Sequence, residues 1–312
     1  MPIHRRLRSD SRHCLRLALP TLSLLLAPWP SYADFDPVKM AEHASVEDLT
    51  QWSADGFPTP SPDQTAQWLA TLVGEPDPFL RDDIGFTGLS ALLRRDAVTT
   101  DTLLALIDAF EARLSGPDPE GVAHSFATLC LAEVVRVDRI KPRFSDKQFE
   151  RLITIAADTL AGITDYRGYS DDVGWRHAIA HASDLALQIV LNERTDAERL
   201  VTLRGALAKH FAPSTPYVHG EPTRLARPIL YMAIRADMER TGWADWLDAT
   251  VDQTLAQDRT DGGLSRRLAR RHNLRAVIVE LYAKARGSDR PDLADLAVAS
   301  FEALQTIDRH PL

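Results

Sequence analysis

Between Ser170 and Gln188 the sequence reads SDDVGWRHAIAHASDLALQ, and on a helix His177, His181, Asp184 and Gln188 fall within roughly 60° of one another. Around them stand Ala178, Ile179, Ala182, Leu185, Ala186, Leu187, Ile189 and Val190. A helix apolar on nearly every side is a buried one. Two imidazoles and a carboxylate are costly to bury without partners, so the stripe must meet polar groups, a ligand or a water-filled cleft. This makes His177, His181 and Asp184 the first candidates for catalysis.

Three chemistries suit these residue types. A metal, zinc above all, could be held by His177 and His181 at i and i+4, with His124, Asp165 or His219 completing the set. Ala178 stands where a zinc protease of the HExxH type needs its glutamate, so that mechanism has no general base here. Without metal, one imidazole could act as acid or base oriented by Asp184 or Asp165, with Arg167 and Arg224 holding an anionic substrate. Tyr169, Trp175, Tyr217 and Asn273 could serve such a hydrolase or lyase, and Asp82, Asp83, Asp184 and Glu221 could supply paired carboxylates. The structural alternative is that Arg81 with Asp82, Asp165 with Arg167, and Glu221 with Arg224 are bridges between neighbouring helices.

The elements that must position these groups read as helices throughout. From Ser61 onward apolar residues recur at spacings of three and four, and no segment alternates with a period of two. The pattern predicts helices near 63–73, 79–95, 99–114, 119–137, 145–162, 172–192, 195–211, 222–239, 243–257, 264–285 and 291–307. Thr100-Asp101, Ser145-Asp146, Asp171-Asp172 and Thr195-Asp196 are candidate caps, and Pro222 and Pro291 suit first turns. Taken in pairs, the segments repeat every 40 to 53 residues or so, the period of HEAT-like units. The expected fold is an all-α superhelix of HEAT-like helical hairpins with a concave face, and a closed α/α toroid is the competing architecture.

The domain reading has three parts. Arg5, Arg6, Arg8, Arg12 and Arg16 precede an apolar run from Leu17 to Ala27 and the small residues Ser31 and Ala33, the pattern of a signal peptide over residues 1–33 cleaved near Ala33. That run is too short for a stable transmembrane anchor, so a periplasmic or secreted protein is expected. Residues 34–60, with Pro37, Pro58 and Pro60, read as an irregular arm carrying one short helix near Val38 to Trp52, and 61–312 as a single helical-repeat domain. Taking five Arg and Asp10 from the 36 basic and 44 acidic side chains leaves a mature chain near −12, which argues against nucleic acid as a partner. Cys130 is then the one cysteine left, so no intramolecular disulfide can form, and its apolar surroundings mark a core thiol. The basic run Arg266, Arg267, Arg270, Arg271 and Arg275 reads as a solvated helix face.

Several blocks resemble a bacterial family, domain of unknown function 2785. They are Asp77-Pro78 with Leu80 to Gly85, Ser125-Phe126, Tyr166-Arg167-Gly168-Tyr169, Gly174-Trp175 with His177 to His181 and Asp184, and Arg224-Leu225-Ala226, together spanning roughly residues 75–285. His124 stands where such proteins often carry arginine. The resemblance implies an all-helical fold and brings no activity with it. The function expected is therefore binding of an envelope protein or another polar envelope component through the His-containing cleft. Arg81, Asp82, Asp165, Arg167, Tyr169, Trp175 and Arg224 are the binding residues. A His-based hydrolase or lyase acting on an envelope glycan or peptide, with or without zinc, is the alternative.

Overall fold

The computed structural model describes residues 44–238, 242–260 and 263–310. The expected signal peptide, its cleavage point and the first part of the arm lie outside the described residues. Within them stand twelve α-helices and one two-stranded hairpin. The helices are α1 (Val46–Ala54), α2 (Pro62–Leu72), α3 (Thr87–Arg94), α4 (Thr100–Leu114), α5 (Ala123–Ile140), α6 (Asp146–Gly162), α7 (Ala178–Val190), α8 (Ala197–Ala208), α9 (Glu221–Ala233), α10 (Trp243–Thr260), α11 (Leu264–Arg286) and α12 (Ala294–Arg309). A π-helical segment, Phe79–Phe86, runs directly into α3. The hairpin pairs β1 (Tyr169–Ser170) with β2 (Gly174–Trp175).

The helices form two layers in chain order. One layer stacks α3, α5, α7, α9 and α11 side by side, and the other packs α2 on α4, α6 on α8 and α10 on α12. No extensive interface among the described residues joins the first helices to the last, so the stack is open and not a closed toroid. The apolar faces meet in one continuous core that runs from Leu49 to Ile307. Cys130 lies inside it, 1 % exposed, with its thiol pKa pushed up by burial.

Local chemistry sets most helix ends. Ser45 and Asp48 close a reciprocal capping box on α1, and Ser145 and Gln148 do the same on α6. Asp196 caps α8 as its sequence suggests, whereas Thr99 and not Thr100 caps α4. Trp52 closes α1 against the core, stacking edge-on to Phe57 and donating its indole N–H to the Pro58 carbonyl at 2.9 Å.

One expected helix is cut short. The stretch 172–192 becomes helical only at Ala178, because Gly174 (φ 76°) and His177 (φ 54°) lie in the left-handed region. Asp171 and Asp172 therefore precede the hairpin's second strand and cap nothing. A Cβ at position 174 would also press on Arg81 Nη2 and Pro78 at 3.3 Å, so both backbone and space call for glycine there.

Candidate functional site

The hairpin and the start of α7 are fixed by two buried arginines. Arg81 is wholly buried: Nη1 donates to the Glu75 and Pro76 carbonyls, Nη2 to the Val173 carbonyl at 2.9 Å, and Nε to Asp82 at 2.7 Å. Its guanidinium also lies over the Phe126 ring at 4.8 Å. Burial holds the Asp82 pKa above its ordinary value even with Arg81 alongside. Arg176 donates to the Glu120 carbonyl at 2.6 Å and to Ser170 Oγ at 2.7 Å. These contacts clamp a four-residue ladder that could not hold itself.

On that clamped hairpin the directly opposed Tyr169 and Trp175 stay open to solvent, 47 % and 38 % exposed. Their rings meet at 5.2 Å, and His177 stacks on the indole at 4.8 Å with 20° between planes. His219 approaches the same indole edge-on at 5.8 Å. Gly168 makes room for it, since a Cβ there would overlap the His219 imidazole. Glu221, 2 % exposed and first in α9, accepts from the His219 backbone N–H at 2.8 Å. Its other oxygen stands 3.9 Å from His177 Nε2 and 3.7 Å from His219 Nδ1, too far for hydrogen bonds. His177 Nε2 is buried with no partner, and burial lowers the ring's pKa.

The rest of the stripe is tied to neighbouring helices. His181 Nδ1 lies 2.7 Å from Ser125 Oγ and 3.2 Å from the Ser125 carbonyl, while that hydroxyl donates to the Arg176 carbonyl. The network therefore assigns the proton to Nδ1. Burial, helped by the charges of His177 and Arg224, pushes the His181 pKa down to about 3. A ring so hard to protonate links α7 to α5 and is a poor proton carrier. Asp184 pairs with Arg224 of α9 at 2.6 Å, and burial still raises the Asp184 pKa. Gln188 accepts from Arg139 of α5 at 3.1 Å. Arg224 thus bridges to Asp184, and Glu221 turns to the histidines; the expected Glu221–Arg224 pair is not formed.

Beyond Ala178 at its start, Asp184 and Gln188 are the half-buried positions of α7, so their row marks the layer's open face. Five arginines gather along it. Arg94 pairs with Glu133, Arg224 with Asp184, and Arg139 with the neutral Gln188. Arg136 and Arg227 make no hydrogen bond or ion pair among the described residues, although Arg136 lowers the Arg139 pKa alongside burial and Arg227 acts on Asp184. Tyr231, 40 % exposed, adds its ring on the same side. Five guanidiniums stand against two carboxylates, an inversion of the acidic chain around them. Sequence reasoning missed Arg136, Arg139, Arg227 and Tyr231; the signal was the i, i+3 arginine spacing on α5 and again on α9.

The remaining candidates sit elsewhere. Arg167 grips Asp165 at 2.6 Å; burial of Asp165 works against ionisation, but the Arg167 bonds outweigh it and lower the pKa. Asp165 lines, with Asp118, His124, Ser125 and Ala178, a cavity of about 490 Å³ beside the start of α7. His177 and His181 do not line it. Tyr217 and Asn273 are interior braces: the Tyr217 hydroxyl donates to the His210 carbonyl, and Asn273 holds the 213–217 loop. Zinc finds no ready ligand set: among the described residues no group of three His, Cys, Asp or Glu could hold a metal ion.

The molecule is thus an open stack of helical hairpins with a basic inner row and an aromatic corner. Residues 111–283 match the profile of the family described as protein of unknown function, DUF2785, and the chain belongs to that family. The match begins later than the roughly 75 expected, leaving Asp77 to Gly85 outside it. No curated protein and no solved structure matches the chain. Among the described residues no helix is long and apolar enough to cross a membrane.

Proposed function

We propose that this protein is an exported binding protein that captures an extended anionic component of the cell envelope along the open face of the α5–α7–α9 layer. The observation that carries the reading is the surplus of positive charge there: among the described residues Arg136 and Arg227 make no hydrogen bond or ion pair, and Arg139 donates to the neutral Gln188. Guanidiniums carried by α3, α5 and α9 suit repeated carboxylates or phosphates, because each presents a planar fork of donors. The net charge of −8 for the whole chain makes such a row a local feature rather than a general stickiness toward anions. The Asp184–Arg224 pair keeps Arg224 aimed along the row.

The test is titration of the purified protein with three polyanions of matched charge: an oligogalacturonate, a polyphosphate and a polyglutamate. At least one binds with an affinity that falls as salt rises, and the double reversal Arg136→Glu, Arg227→Glu weakens it tenfold or more, about 1.4 kcal/mol. Binding of none of them, or binding indifferent to the reversal, refutes the reading. Export itself is tested by the amino-terminal sequence of the protein recovered from the cell envelope, which should begin at Asp34.

A second reading, a His-based hydrolase or lyase, draws on one observation: the unpartnered His177 Nε2 beside Glu221. Product release from any oligosaccharide that binds, lost in His177→Ala, would support it; binding without turnover counts against it.

A further inference from the structure

We infer that the aromatic corner at the head of α7 is a sugar-ring subsite, so that the anionic ligand is an acidic polysaccharide and not an acidic peptide or polyphosphate. This rests on the binding role just proposed and narrows it to one ligand class.

Three observations converge. First, the aromatic pair is displayed at the expense of buried charge. Arg81 is entirely sealed, and Arg176 nearly so, to pin a hairpin whose two aromatic side chains remain in water. A fold that buries guanidiniums to hold Tyr169 and Trp175 outward presents a rigid apolar surface with little ordering left to undergo on binding. Second, the indole is braced. His177, held in a left-handed backbone conformation that non-glycine residues seldom adopt, stacks on one face of Trp175, and with Tyr169 and His219 against its edges the residue still keeps 38 % of its surface in solvent. Third, the groups beside it have unused hydrogen-bonding capacity: His177 Nε2 is buried without a partner, and one Glu221 oxygen sits out of bonding range of both His177 and His219. Buried polar atoms left open in a well-packed structure call for a missing partner.

An apolar plate flanked by the partly open His219 imidazole, with Glu221 and His177 beneath it, matches a pyranose, which has a C–H face for the ring and hydroxyls around its rim. Glu221 and Arg224 are one turn apart on α9, so a sugar at the plate leads into the basic row, where carboxylates on the following units meet Arg224, Arg227 and Arg139. A polyphosphate has no face to stack, and a polyglutamate has no ring.

The experiment compares an oligogalacturonate, the neutral cello-oligosaccharide of equal length, a polyphosphate and a polyglutamate by calorimetry and tryptophan fluorescence, on the wild-type chain and on Trp175→Ala and Tyr169→Ala. The expected result is that oligogalacturonate binds at least tenfold tighter than either non-sugar polyanion and changes the fluorescence. Trp175→Ala should remove that change and weaken oligogalacturonate at least fivefold, with polyglutamate unaffected. Tyr169→Ala, at the more exposed position, should weaken it in the same direction and guards against a folding defect in the tryptophan variant; circular dichroism checks both. Polyglutamate or polyphosphate binding as tightly as the sugar, with neither aromatic variant mattering, overturns the subsite and leaves the basic row standing. Loss of all binding in wild type overturns both.

Discussion

His181 makes acid stability a direct readout of the stripe. Its folded pKa is about 3, against an ordinary value of 6.5, because burial disfavours the charged ring. The folded chain therefore refuses a proton that the unfolded chain accepts once the pH drops below 6.5. The stabilisation is complete above that pH and is lost progressively as the pH falls toward 3. Each unit of this window corresponds to about 1.36 kcal/mol, so lowering the pH from 7.5 to 5.0 costs about 2 kcal/mol through this one ring. The perturbation is His181→Gln, which keeps an N–H for Ser125 and removes the titration. Equilibrium urea unfolding at the two pH values gives the loss for each protein by linear extrapolation. His177 and His210, whose pKa values burial also lowers, contribute to both and cancel in the difference. The variant should lose about 2 kcal/mol less than the wild type over the interval. Equal losses, within about 0.5 kcal/mol, would show that His181 takes up its proton in the folded state and would reopen it as an acid or base.

Two further outcomes test the geometry of the corner. Gly168→Ala should drive its new methyl into the His219 ring, costing about 1–3 kcal/mol or swinging the imidazole out of place, and the penalty should vanish in a His219→Ala background measured by a double-mutant cycle. Arg81→Lys should destabilise the protein by about 3 kcal/mol or more in thermal unfolding, because one ammonium cannot serve three carbonyls and Asp82 together; stability unchanged by the substitution would mean the hairpin holds without its clamp.

The helical periodicity of this chain was legible because each helix buries one face in a shared core, and burial writes itself at spacings of three and four. Ser145 and Asp196 were legible as caps for the same local reason. The start of α7 was not: Asp171-Asp172 has the composition of a cap, and only Gly174 and His177, both turned into the left-handed region, show that the chain makes a hairpin first. Partner choice was equally hidden. Glu221 and Arg224 lie three apart on one helix and look like a pair, yet Asp184 from the neighbouring helix reaches Arg224 first. Arg136, Arg139 and Arg227 escape a reading of the sequence, because nothing in one helix reveals that its neighbours bring the same sign alongside.

The reach of Arg81 has a consequence for where this protein can be cut. The family profile starts at residue 111, yet the guanidinium that fastens the Val173 turn comes from thirty positions earlier in the chain. A fragment trimmed to the shared region would keep both aromatic rings and four of the five arginines of the basic row, and would lose Arg94 together with the pin that fixes how the rings are presented. The span held in common with relatives is therefore shorter than the span that works as one mechanical piece.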